Sequence, residues 1–115
     1  MRKRSSSENK RTRSSVKTIE EINTILKEHK EELKKRYRIK EIGVFGSYVR
    51  GEQKKRGSDI DILVEFEEGE IPDLFKFIEM ERYLSRLLRK KVDLVRKKVI
   101  RPELKDIVLK EVVYI

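Results

Sequence analysis

The stretch DIDILVEF, residues 59–66, constrains the chain's fold more than any other, because it alternates with a period of two along its whole length. Side chains of an extended strand point alternately to opposite faces. Ile60, Ile62, Val64 and Phe66 therefore form one apolar face, and Asp59 and Asp61 point the other way. At the strand rise, the two carboxylates stand about 6–7 Å apart. A strand built for a protein interior thus opens with two like charges on one side, and any fold proposed for this chain has to accommodate them.

The neighbouring segments supply a sheet for that strand to join. IKEIGVFGS (39–47) reads as a short strand running into a glycine turn, KVDLV (91–95) as another short strand, and VVYI (112–115) as an edge strand. SYVRGEQKKRG (47–57) offers one turn of helix and then a polar loop. A first helix starts at Thr18, whose hydroxyl caps it while Glu21 reaches back in a T-x-x-E box. Ile22, Leu26, His29 and Leu33 fall on one face of that helix, which makes the single histidine a packing residue rather than a metal ligand. A long helix follows Ile71-Pro72-Asp73, with Leu74, Phe77, Ile78, Leu84, Leu87 and Leu88 at helical spacing. Pro102 opens a last helix with Leu104, Ile107 and Val108 on its apolar side. The order αβαβαβαβ predicts an α/β (α+β) fold, a small mixed sheet flanked by helices.

A chain of 115 residues holds one such domain. Its hydrophobic share of 37% is low, but it is gathered into the patterned segments above, so a small core under a charged surface is expected. The absence of cysteine excludes disulfides and thiolate metal sites, and fits a reducing, cytoplasmic setting. No apolar run approaches the ~20 residues that span a bilayer, and the N-terminus lacks the apolar core of a secretory signal. Of the net charge of +9, residues 1–18 carry +6, with seven Lys or Arg against Glu8 alone. Residues 1–17 read as a disordered basic arm and 18–115 as the folded domain.

A third aspartate repeats the opening pattern. In VDLV, Val92 and Leu94 share a face and Asp93 points opposite, so if the two strands are neighbours Asp93 comes alongside Asp59 and Asp61. Carboxylates this close repel unless a cation lies among them, and Mg²⁺ prefers a few carboxylate oxygens together with substrate phosphates. D-x-D alone is a common tripeptide whose acids ordinarily pair with Lys or Arg, and a lone Gly-Ser is ordinarily a turn. Neither a Walker loop nor a dinucleotide fingerprint is present. The information lies in the set: an apolar strand, Gly46-Ser47, Arg50-Gly51, Asp59-x-Asp61, and Asp93 on a later strand.

That set resembles the DNA polymerase β-like nucleotidyltransferases. GVFGSYVRGEQKKRGSDIDILVEF is similar to their minimal members, the MntA-type antitoxins paired with HEPN-domain toxins, and the likeness extends from about Ile39 to the end of the chain. The resemblance implies that Gly46 and Ser47 hold a triphosphate, with Arg50 either touching phosphate or forming a structural ion pair. It implies that Asp59 and Asp61 ligate two Mg²⁺ ions and Asp93 one of them, and that AMP passes from ATP to a tyrosine hydroxyl of the HEPN ribonuclease toxin. Two other readings stand beside it. One is a catalytically silent antitoxin on the same fold. The other is a basic nucleic-acid-binding module using Lys54-Lys55-Arg56, Arg89-Lys90-Lys91 and Arg96-Lys97-Lys98, which no interleaved aromatic residues support.

Overall fold

The computed structural model describes residues 16–54 and 57–115. Most of the arm expected at 1–17, and Lys55 and Arg56 of the first basic run, lie outside the described residues. The packed chain starts two residues before the expected boundary at Thr18. Val16 is buried in the core, its N–H donates to the Leu88 carbonyl, and Gln53 Nε2 donates to the Lys17 carbonyl at 2.8 Å.

Helix α1 (Ile19–Glu28) begins as the capping box requires, with the Thr18 hydroxyl accepting from the Glu21 N–H and the Glu21 carboxylate accepting from the Thr18 N–H. The single long helix expected here is two. The backbone leaves helical geometry at His29, and α2 (Lys30–Tyr37) follows. His29 lies half-buried at the break with Nδ1 bonded to the Ile25 carbonyl, so its ring closes the end of α1. Ile22, Leu26 and Leu33 are buried across both helices, which explains why their spacing reads as one.

Strand β1 (Ile39–Phe45) leads through Gly46 into the single turn α3 (Ser47–Arg50), and β2 is Ile60–Phe66. Helix α4 (Leu74–Leu88), capped by the Asp73 carboxylate, crosses to β3 (Val92–Arg96). A short 3-10 turn at Lys97–Val99 precedes α5 (Pro102–Glu111) and β4 (Val113–Tyr114). The sheet order is β3-β2-β1-β4. β2 and β3 run parallel, as a helical crossover demands, while β1 pairs antiparallel with both β2 and β4.

Ile60, Ile62, Val64 and Phe66 enter the core with Val44, Val92, Leu94 and the inner faces of α1, α2 and α4. Leu63, on the aspartate face of β2, is buried as well, so the central strand is covered on both sides. On α4 the buried positions are Met80, Leu84 and Leu88, and Leu74 at its start is exposed. The apolar side of α5 is not covered: Leu104 and Ile107 are exposed and none of its residues is buried. Among the described residues no helix is long and apolar enough to cross a membrane.

Candidate active site

The acids meet where β1, β2 and β3 come into register. Asp61 stands opposite Asp93 across the parallel pair and opposite Phe45 across the antiparallel one, and Asp59 lies one residue before β2 begins. The pattern of burial follows the pleat, with Val92 and Leu94 in the core and Asp93 exposed between them. A one-residue slip in either strand would send the acids into the core, so the apolar faces fix their position.

Gly46 closes the site from the β1 side. Its φ of +86° belongs to the region glycine favours, and a Cβ placed there would lie 2.2 Å from Asp61 Oδ2. The backbone and the carboxylate are therefore in contact, and no side chain fits between them. Ser47 follows as the first residue of α3. Arg50, at the end of that turn, is engaged on two sides. Its Nε donates to Glu52 at 2.8 Å and its Nη1 to Glu111 at 2.7 Å, and these bonds hold its pKa above the ordinary arginine value. Arg50 thus forms ion pairs with Glu52 and Glu111.

Asp61 is the strained member of the set. Burial is the first cause that pushes its pKa up, to about 6, and the negative charges of Asp93 and Asp59 add to it, with Arg50 opposing them. Asp59 meets Lys91 at 3.9 Å, an exposed and weak pair. Among the described residues no three acidic or histidine side chains converge closely enough to hold one ion as they stand. The donor set nonetheless suits a hard cation, being carboxylate oxygens alone, brought side by side by the strand register.

Glu111 belongs to this site, and sequence reading passed over it. Its carboxylate accepts from the Gly46 N–H at 2.6 Å and from Arg50, although it is 65 residues away from the glycine. No local pattern in LKEVVYI marks it, because its role depends on α5 returning to the end of β1.

The nucleotidyltransferase domain family matches residues 26–115. A protein adenylyltransferase, MntA, of Thermococcus cleftensis is 57% identical over 98 residues, covering 85% of this chain and 96% of its own. A solved structure assigned as a minimal nucleotidyltransferase superposes with a TM-score of 0.63 at 33% identity, covering 80% of this chain and 93% of that one. A toxin–antitoxin structure with AMP-PNP superposes with a TM-score of 0.62 at 29% identity, over 81% and 70% of the two chains.

Proposed function

The chain belongs to the nucleotidyltransferase family, in its minimal MntA-type branch, and from that premise we propose that it transfers AMP from ATP to a tyrosine hydroxyl of a HEPN ribonuclease toxin, acting as the toxin's antitoxin. The observation that carries the reading is the parallel register that sets Asp93 beside Asp61, with Gly46 in contact with the same carboxylate. Metal- and nucleotide-dependent chemistry is what membership of the family implies. Asp59 and Asp61 would hold two Mg²⁺, Asp93 completing one of the sites, and the ions would supply charge neutralisation at the transferring phosphoryl group.

The chain's own residues do the rest. Gly46 lets the triphosphate approach the backbone, and the Ser47 hydroxyl offers it a donor. Asp61 and Asp93, fixed on a rigid pair of strands, set the direction from which the acceptor arrives. The toxin hydroxyl gives its proton to a carboxylate of the acid set and attacks the α-phosphorus in line, a new O–P bond forms, and the bond to the leaving pyrophosphate breaks. The fold of the described chain is taken up by the acid-bearing sheet and its supporting helices, so the acceptor protein supplies the hydroxyl together with part of its positioning. The partner class follows from the family resemblance, and the toxin–antitoxin relative is in keeping with it.

Labelled ATP tests the reading. With Mg²⁺ and a HEPN protein from the same genome, α-phosphate label should appear on the protein and γ-phosphate label should not. Label on an RNA 3′ end in place of the protein would contradict it.

A further inference from the structure

Glu111 ends helix α5, and β4 begins two residues later. Its side chain is only 15% exposed, and its two oxygens are divided between two donors. Oε2 accepts from the Gly46 N–H at 2.6 Å and Oε1 from Arg50 Nη1 at 2.7 Å. Both bonds have the short lengths of charge-assisted contacts. The peptide so held is the one that turns through φ +86° and lies against Asp61.

The glutamate's own backbone is anchored on both sides. Val112 N–H closes on the Val108 carbonyl, Val113 and Tyr114 pair with Val44 and Gly43, and Ile115 N–H donates to the Ile42 carbonyl. Gly43 permits that pairing, since a Cβ there would lie 2.7 Å from the Val112 side chain and 2.9 Å from the Val113 carbonyl. A carboxylate delivered by an anchored backbone to an anion-accepting turn has two possible uses. It can occupy the turn until a phosphate displaces it, or it can hold the turn in shape while phosphate binds elsewhere on it. Displacement requires the side chain to give up both short bonds at once, one of them to a guanidinium, and the anchored backbone keeps the carboxylate facing those donors.

We propose that Glu111 is a positioning residue of the transfer reaction, clamping the Gly46 peptide and the Arg50 guanidinium in place around Asp61 so that the glycine turn is preformed for the triphosphate. The inference rests on the nucleotidyltransferase reading above. It adds that the C-terminal α5–β4 segment is part of the active site and not only of the fold.

The test compares wild type with Glu111→Gln, which keeps the shape but replaces one acceptor by an amide N–H₂ facing a donor. Mg–ATP affinity by calorimetry, KM and kcat for transfer, and melting temperature are measured together. Glu111→Gln should bind Mg–ATP about tenfold or more weakly, the size expected when a charged hydrogen bond is lost. KM should carry most of the loss, and melting should stay within a few degrees of wild type. Should Glu111→Gln melt below the assay temperature, Glu111→Asp retains the charge but is too short to span both donors, and the same loss is expected. Unchanged affinity overturns the proposal. Tighter affinity also overturns it, in favour of a carboxylate that competes with phosphate. A fall in kcat alone, in proportion to the unfolded fraction, overturns it in favour of a purely structural role. A wild type that binds ATP but transfers nothing would refute the transferase reading while leaving the affinity comparison intact, and a wild type that binds no ATP would refute both.

Discussion

Asp61 concentrates the conflict between folding and chemistry in one side chain. Its pKa rises from the ordinary carboxylate value, near 4 in the unfolded chain, to about 6 in the fold, with burial first and then Asp93 and Asp59 as causes. Between those values the native state keeps a proton that the unfolded chain releases, so stability falls as pH rises from about 4 to 6. In chelator, Asp61→Asn should be more stable than wild type at pH 7.5 by about 1 kcal/mol, a figure reduced for solvent screening at this half-exposed group. The gain should vanish near pH 4, and transfer should be abolished at every pH. Thermal melts across that range check the sign, and a wild type that gains stability from pH 4 to 6 at this site would contradict it. Gly46→Ala tests the opposite side of the same contact. Alanine at φ +86° and ψ −153°, a region nearly reserved for glycine, costs about 1–3 kcal/mol, and its Cβ would displace the Asp61 carboxylate. The variant should melt lower and lose transfer, and an active Gly46→Ala enzyme would show that the close approach of glycine to Asp61 is not needed.

Strand β3 presents its outer edge to α4 and not to another strand. Ser85 Oγ accepts from the Val92 N–H at 3.0 Å, and Glu81 Oε2 accepts from the Leu94 N–H at 2.9 Å, so one helix satisfies the alternate donors on either side of Asp93. Removing both acceptors with Ser85→Ala and Glu81→Ala leaves two part-buried N–H groups unpaired, at about 1–3 kcal/mol each. Hydrogen exchange at Val92 and Leu94 should rise, and transfer measured well below the melting point should fall because Asp93 loses its fixed position. Unaltered exchange would mean that the helix does not hold the edge. These side chains carry no sequence signal, whereas the strands do. Alternation exposed the apolar face of β2 and set Asp59 and Asp61 opposite it, and the same rule placed Asp93, because burial of one face forces a period of two. Periodicity failed where tertiary contact decides. It ran straight through the break at His29, since Ile22, Leu26 and Leu33 face the same core from two helices. It counted Leu74 as inward although that residue precedes the covered part of α4, and passed over Met80, which is buried. Glu111 was illegible because its partners come from the glycine turn after β1 and from α3.

At the scale of the molecule, the sheet carries the acids at the starting end of the β2–β3 pair, three helices cover its apolar face, and α5 with β4 folds back to the glycine turn. The basic leader is separable from this arrangement on sequence grounds, since residues 1–15 contain Met1 as their single apolar side chain. Deleting 1–15 should leave the melting temperature unchanged. Extending the deletion through Thr18 should cost about 2–3 kcal/mol, because it removes the buried Val16 and the helix cap along with the Lys17 carbonyl that holds Gln53. Equal melting of the two truncated forms would contradict the placement of Val16 in the core. On the proposed function Asp59, Asp61 and Asp93 catalyse adenylyl transfer to a partner protein. The most direct measurement of that transfer is the intact mass of a HEPN partner after incubation with this protein, ATP and Mg²⁺. The partner should gain mass in whole adenylyl units with the wild type and none with Asp93→Asn. A partner of unchanged mass, or one modified equally by Asp93→Asn, would contradict it.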